Sequence, residues 1–231
     1  MKYKSGCLVC GADLVYLPRH EAQTCLYCGN TGESNARCSQ GHYVCDACHG
    51  ADAAGLIEGF CAGTSLRDPV EMAVTLMRHP SVAMHGPEHH FLVPAVLLAA
   101  YANQHALENR AVKIQQARKR AEGVRGGSCG LCGNCGAGVG TGIFISLITG
   151  ATPLSKQAWQ LSNRMTAESL LSIAEHGGPR CCKRDTFLAL QSAQAFLQKA
   201  LGQTLEMSAP VLCEFSAFNK ECLRTDCPFF A

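Results

Sequence analysis

Charge is scarce in this sequence. Asp, Glu, Lys and Arg make up 16% of the 231 residues, and the net charge at pH 7 is +2. A protein that binds nucleic acid or a membrane through its overall electrostatic field needs a larger excess of positive over negative charge. Any basic patch here must therefore be local. Internal repeats, heptads and low-complexity segments are absent as well. The hydrophobic content of 47% is nevertheless enough for a packed core.

Long apolar runs are also missing. The N-terminal segment MKYKSGCLVCGADLVYL contains no apolar stretch of signal-peptide length. The longest runs, FLVPAVLLAAYA and GIFISLITGA, are too short for a bilayer and suit buried helices. We therefore expect a cytoplasmic protein with no membrane contact. Because thiols in a reducing compartment stay free to bind metal, the sixteen cysteines are predicted to be mainly metal ligands.

The cysteines divide the chain into two predicted domains. Residues 1–50 hold seven cysteines among frequent Gly, Asn and Asp, without a helical period, and predict a small module stapled by two zinc ions. From Asp52 onward, apolar residues recur at helical spacing. Residues 51–231 are therefore predicted to form a helical, cysteine-rich domain, and the fold class is mainly α.

Capping residues and prolines place several helices. Asp68 and Pro69 predict a helix start, with Pro80 as its stop. Further helices are expected from Pro87 to about His105, with a kink or break near Pro94, and from Glu108 to about Glu122. Others should begin at Thr152–Pro153 and run to EHGG, and extend from Lys183 to about Ala200.

The N-terminal module contains four pairs of metal ligands. Two pairs have Cys-x-x-Cys spacing, and CSQGHYVCDACH supplies three cysteines and a histidine, which together suit two tetrahedral zinc ions. The predicted zinc ligands are Cys7, Cys10, Cys25, Cys28, Cys38, His42, Cys45 and Cys48.

The pairing of these ligands remains open in the sequence. The first two pairs could share one ion and the last two the other. From Cys25 onward, however, the spacing resembles the opening six ligands of a RING finger, in which alternate pairs share an ion, with Cys7 and Cys10 in place of the missing final pair. His49 could replace His42, and Cys61 stands outside both sets.

A second set of eight thiols follows in the helical domain. In SCGLCGNCGAGVGTG, Cys129, Cys132 and Cys135 are three residues apart, a spacing that gives one thiolate to each of three iron corners of a 4Fe–4S cube. The adjacent pair Cys181 and Cys182 should lie at a helix start and supply the fourth ligand, and Gly residues should let the main chain approach the cluster. The tail adds Cys213, Cys222 and Cys227. The eight thiols therefore serve one cube or two, or one cube and a further zinc.

The segment HGPEHH offers groups for proton transfer. Glu88 and His89 could form a polar wall facing the cluster, and Cys182 could act as a reactive thiol. The alternative is that these residues cap the following helix. The metalloprotease pattern His-x-x-Glu-His is present at His85–His89, but Gly86 and Pro87 interrupt the helix that it requires.

A local basic run precedes the first of these thiols. The segment from Arg110 to Arg125 carries six cationic side chains against Glu122. Such a run is usually a solvated helix face, but it leads to Cys129 and could guide RNA or an anionic small molecule toward the cluster.

The motifs HGPEHHFLVPAVLLAAYAN, CGLCGNCGAGVGTGIFISLITGATPLS and GGPRCCKRD resemble an uncharacterised cysteine-rich domain family of archaea and anaerobic bacteria, over roughly Leu66 to Cys227. The resemblance implies a partner protein that depends on S-adenosylmethionine, but no activity. We expect an iron–sulfur enzyme or enzyme component in sulfur or one-carbon transfer. The alternative is a non-catalytic adaptor or maturation factor.

Overall fold

The computed structural model describes residues 6–231, and the predicted mainly α fold is confirmed in this part of the chain. One two-stranded antiparallel sheet stands beside nine α-helices. The strands are β1 (Leu14–Thr24) and β2 (Thr31–Cys38). The helices are α1 (Asp46–His49), α2 (Ala53–Gly63), α3 (Pro69–Arg78), α4 (Glu88–Gln104), α5 (Arg110–Ala121), α6 (Ser128–Leu131), α7 (Gly136–Thr149), α8 (Gln157–Glu175) and α9 (Cys182–Leu201).

The buried helix α4 organises the core. Its residues from Phe91 to Tyr101 are all buried, because the sequence is apolar on every face of the helix. Helices α2, α3, α5, α7 and α9 pack around it. The N-terminal module joins the same core through Val9 and Tyr27, and the Tyr27 ring meets the edge of His79 with centroids 5.1 Å apart.

Several predicted helix boundaries are confirmed. The Asp68 carboxylate caps α3 by accepting the Val70 N–H at 2.7 Å, and α9 begins beside Cys181 as expected. The predicted start of a helix at Thr152–Pro153 is wrong. Those residues form a turn in which the Thr152 and Ser155 side chains bond to each other and to the main chain, and α8 begins at Gln157.

The expected break at Pro94 does not occur, and α4 runs through it. The ring can be accommodated because glycines of α7 face this part of α4. A Cβ added at Gly140 would lie 2.8 Å from Pro94 Cδ and 3.1 Å from the His90 carbonyl oxygen. Because Gly140 has no side chain, it leaves room for the Pro94 ring. It also leaves room for the His90 carbonyl, which receives no helical hydrogen bond because proline has no N–H.

Two further glycines of GAGVGTG also allow close packing between helices. Cβ atoms at Gly138 and Gly142 would collide with Leu170 and Thr166 of α8. These residues are helical and set the spacing between α7 and its neighbours. The N–H groups of Ala137 and Gly138 also face the Cys135 thiol, and the approach of this main chain to a cluster stays a prediction. Within the described residues, no helix is long and apolar enough to cross a membrane.

Candidate metal centres

The eight predicted zinc ligands come together in two groups of four, and alternate pairs share a group. Cys7, Cys10, Cys38 and His42 form one group, and Cys25, Cys28, Cys45 and Cys48 form the other. The ligand atoms in each group lie within 4.8 Å of one another. The sequential pairing is therefore wrong, and the RING-like alternation describes the geometry. His49 lies exposed outside both groups.

Individual distances in these groups suit a tetrahedral ion. Cys10 Sγ lies 3.5 Å from Cys38 Sγ, and Cys28 Sγ lies 3.8 Å from Cys45 Sγ. Ligands at the usual zinc–sulfur bond length are about 3.8 Å apart at the corners of a tetrahedron. Main-chain N–H groups also point at the sulfurs, as in the bond from Cys45 N to Cys25 Sγ of 3.4 Å.

The β1–β2 hairpin explains the alternation. Its register places Leu14 opposite Cys38. The Cys7–Cys10 loop, which precedes β1, therefore lies at the same end of the hairpin as Cys38, where β2 ends. The tight turn after Cys25 then lies at the other end of the hairpin, where it meets Cys45 and Cys48 at the start of α1. Ligand pairs from the same end of the hairpin therefore share a group.

In the C-terminal part of the chain, four thiols line one small cavity of about 20 Å³. We call this group the enclosed thiol site; it consists of Cys181, Cys213, Cys222 and Cys227. Much of the remaining wall is apolar and is formed by Met84, Phe215, Leu223, Phe229 and Phe230. The sequence grouped the three tail cysteines, but it assigned the pair Cys181 and Cys182 to the set of Cys129, Cys132 and Cys135. The structure instead places Cys181 with the tail cysteines.

The sulfurs of the enclosed thiol site accept hydrogen bonds from N–H groups. Asn219 Nδ2 and the Arg184 N–H each donate to Cys181 Sγ at 3.5 Å. The N–H of Phe215 donates to Cys213 Sγ at 3.4 Å, and that of Arg224 to Cys222 Sγ at 3.3 Å. Such donors stabilise negative charge on sulfur and accompany metal-bound thiolates.

A second group, the open thiol site, consists of Cys129, Cys135 and Cys182. Cys129 and Cys135 line a surface groove together with Asp185, whereas the Cys182 thiol is outside the lining of that groove and meets the Gly86 N–H. The Cys135 thiol donates to Asp185 Oδ2 at 3.8 Å. Burial raises the pKa of Cys135 to about 12 and that of Cys182 to about 11, so burial outweighs the helix N-terminus that was expected to favour thiolate. Cys132 is exposed at the end of α6.

A buried lysine lies between the two thiol sites. Lys183 is 1% exposed, and its Nζ donates to the Ala83 carbonyl at 2.9 Å. Burial lowers its pKa to about 8, although Glu88 and the thiols of Cys182, Cys181 and Cys213 act in the opposite direction. Lys183 also lines the cavity of the enclosed thiol site, so a cationic side chain shares a wall with those thiols.

The predicted proton-transfer residues lie next to the open thiol site. The Gly86 N–H faces the Cys182 thiol, and the carboxylate of Glu88 packs directly on Gly86. His89 is 1% exposed and its Nδ1–H donates to the Gly86 carbonyl, which leaves Nε2 without a hydrogen-bond partner. One Glu88 oxygen, Oε1, also lacks a hydrogen-bond partner, although it lies 3.9 Å from His89 Nδ1. Glu88 and His89 therefore each keep a buried polar atom that makes no hydrogen bond, so they do more than cap α4.

Sequence reasoning missed Asp185 and Asn219. Asp185 is 4% exposed and its Oδ1 is 3.3 Å from Arg184 Nε, which forms a buried ion pair at the base of the groove. The only available signal was its place in CCKRD, one turn after the cysteines. Asn219 gave no signal, because its role depends on the folding of the tail over α9.

Most of the basic run has structural partners. Arg110 donates to the carbonyl oxygens of Cys61 and Thr64, and Lys113 donates to that of Leu147. Arg118 pairs with Glu58, and Arg120 bonds to Ser146. Lys119 and Arg125 are exposed. An anionic partner at this helix stays a prediction.

The chain belongs to the family of unknown function DUF5714, whose model matches residues 57–230. This confirms the expected membership of an uncharacterised domain family. No curated protein and no solved structure is significantly similar to the chain.

Proposed function

We propose that this chain is an iron–sulfur protein that holds a 4Fe–4S cluster in the enclosed thiol site and two zinc ions in the N-terminal module. The observation that carries the proposal is the convergence of four thiols, one from the start of α9 and three from the tail, on one apolar cavity. Burial raises the pKa of Cys213 in this cavity, so its thiolate needs a positive partner.

The surroundings of the thiols favour a cluster over a single ion. The ligands of each N-terminal group lie within 4.8 Å of one another, as a tetrahedral ion requires. Among the described residues, the thiols of the enclosed site do not form such a group. The apolar surroundings and N–H···S bonds also match cluster sites, where they set the reduction potential.

We propose further that the protein is a cytoplasmic component in sulfur or one-carbon transfer and works beside an S-adenosylmethionine-dependent protein. The open thiol site supports catalysis over scaffolding, because its groove gives a substrate access to Cys129 and Cys135. Glu88 and His89, with unpartnered atoms near Cys182, are the proposed proton-transfer groups.

One observation favours the second candidate, a non-catalytic adaptor. Leu14, Val15 and Tyr16 are successive exposed residues of β1, with Leu14 and Tyr16 on the same face, and Tyr16 is 71% exposed. A contiguous apolar strand on a zinc-stapled hairpin is suited to docking a partner protein. Docking through β1 and chemistry at the groove use different surfaces, so variants can separate them.

Anaerobic purification followed by metal and acid-labile sulfide analysis tests the proposal. The protein should be brown, with at least about four irons and matching sulfide per chain, besides zinc. The double variant Cys213→Ser/Cys227→Ser should lose about four irons and keep its zinc. Cys61→Ala removes a buried thiol that lies outside all the sites and is the matched control. It should change neither the iron content nor the zinc content. Colourless protein with zinc in place of iron would overturn the proposal.

A further inference from the structure

Lys183 is a buried cation that forms no ion pair with any described residue. Its Nζ donates to the carbonyl oxygens of Ala83 at 2.9 Å and Val82 at 3.4 Å, and lies 5.2 Å from the centre of the Phe215 ring. The charge of Glu88 acts on Lys183 without an ion pair between the two. A buried charge is costly unless an anion faces it, and the ammonium has a third N–H to donate. Lys183 therefore has room for one further, anionic partner.

The three residues that contact the ammonium all border one surface groove. Val82, Ala83 and Phe215 line a groove of about 300 Å³ together with Lys183, between the end of α3 and the C-terminal tail. We call it the lysine groove. Of these three contacts, only Phe215 also borders the small cavity of the enclosed thiol site. The charged end of the Lys183 side chain therefore lies against the lysine groove.

We propose that the lysine groove is a binding site for a small carboxylate with an apolar tail, and that the carboxylate oxygens accept hydrogen bonds from Lys183 Nζ. The site goes beyond the proposed function, because it does not depend on the metal that the thiols hold. Its volume is at the lower end of the range for small-molecule pockets, so it suits a ligand of a few carbon atoms.

The rest of the lining supports this class of ligand. Much of it is apolar and is contributed by Met77, Pro80, Met84, Phe215 and Phe218. Methionine and aromatic side chains adapt to a hydrocarbon tail and remove it from water. Phe218 is 46% exposed at the groove, so part of this apolar surface is open to a ligand.

The other cationic or titratable side chains of the groove already have partners. The Arg78 guanidinium donates two hydrogen bonds to the Glu214 carboxylate, at 2.8 and 2.7 Å, which balances its charge. Both ring nitrogens of His79 also have hydrogen-bond partners. Lys183 therefore supplies one uncompensated positive charge, which matches the single negative charge of a carboxylate.

Isothermal titration calorimetry of the full-length, anaerobically purified protein tests the site with three probes. Hexanoate should bind, whereas hexanamide, which has the tail without the charge, and acetate, which has the charge without the tail, should each bind at least about tenfold more weakly. Hexanoate that does not bind, or that binds no better than acetate or hexanamide, would overturn the proposal. Because the readout is hexanoate binding, such a result leaves the iron–sulfur proposal standing.

Two variants locate the bound hexanoate. Lys183→Met should weaken hexanoate binding at least about tenfold and leave hexanamide binding unchanged. Phe218→Ser, at an exposed position of the groove, should weaken hexanoate about threefold without affecting acetate, and it decides the location if Lys183→Met does not fold by circular dichroism. Lys220→Met removes an exposed cation of the tail outside the groove and is the matched control, with unchanged affinity. Hexanoate affinity that is the same in wild type and in the folded groove variants would refute the site.

Discussion

At the residue scale, single atoms decide how closely the helices around the thiols approach. Gly142 on α7 is packed so tightly against α8 that a Cβ would clash with Thr166 Oγ1 and lie 2.9 Å from the Ser162 carbonyl oxygen. In the sequence this glycine is one of several beside the cysteines, and only the position of α8 shows its packing role. A propensity argument cannot find such a contact, because it depends on a segment more than twenty residues away.

Gly142→Ala is expected to lower the free energy of unfolding by about 2 kcal/mol, because a carbonyl oxygen cannot move aside as a side chain can. Urea unfolding followed by circular dichroism measures the change. Gly59→Ala is the matched control. It lies in the exposed part of α2 with no atom within 4 Å of the added carbon, so it should stabilise the helix by about 0.5 kcal/mol. Equal stability of the two variants would contradict the packing role.

His89 predicts a dependence of stability on pH. Burial, and then the charges of Lys183, His90 and His85, hold the pKa of His89 well below its ordinary value. In the unfolded chain it takes up a proton near its ordinary pKa of about 6.5, whereas the folded protein does not, so stability is lost as the pH falls through that region. His89→Gln should make the free energy of unfolding less sensitive between about pH 7.5 and about pH 5.5. An unchanged slope would show that His89 is charged in the folded protein.

At the element scale, the basic helix α5 shows why a charge pattern does not reveal its use. The run from Arg110 to Arg125 has the composition of a solvated face. In the structure, Arg110 is half-buried and its guanidinium binds the carbonyl groups at the C-terminal end of α2 and Asn103 of α4, at 2.8 Å to the Asn103 oxygen. Helix ends need such donors, but the sequence does not show which donor reaches which end.

Arg110→Met is therefore expected to lower the free energy of unfolding by about 2 kcal/mol, because it leaves the Cys61 carbonyl oxygen without its donor, while the Thr64 carbonyl keeps the bond from Asn103 Nδ2. Lys119→Met on the same helix removes an exposed cation and should cost at most about 0.5 kcal/mol. Thermal unfolding of both variants measures the difference. Similar melting temperatures would mean that Arg110 is a surface charge after all.

The elements themselves were predictable to different degrees. The α3 cap at Asp68 and the start of α9 follow from local rules that the structure obeys. The run of α4 through Pro94 and the late start of α8 do not, since the first depends on glycine in the facing helix and the second on a turn closed by Thr152 and Ser155. Rules based on local sequence fail where contacts with another segment, or a side-chain-closed turn, decide where a helix begins or continues.

At the scale of the whole molecule, the candidate metal ligands connect segments that are distant in sequence. Spacing singled out the eight N-terminal residues that could hold metal, but their alternation required the hairpin. Similarly, spacing singled out Cys181 and Cys182 together, whereas only the fold separates them. Sequence spacing identifies pairs of candidate ligands. Which pairs lie together depends on how the chain folds.

His42→Ala is predicted to lower the zinc content by about one ion per chain and to make residues of the N-terminal module sensitive to protease, because a small module without a large core needs both ions. His49→Ala is the control, since His49 is exposed outside both groups, and it should keep both ions. Zinc analysis and limited proteolysis decide between the two histidines. Zinc loss in His49→Ala alone would contradict the ligand assignment.

The most direct test of the iron–sulfur account is anomalous diffraction from anaerobically grown crystals, recorded at the iron and zinc absorption edges. We predict iron density in the cavity bounded by Cys181, Cys213, Cys222 and Cys227, and zinc density in the two interleaved N-terminal groups. Zinc density in that cavity, or sulfurs joined there as disulfides, would contradict the account.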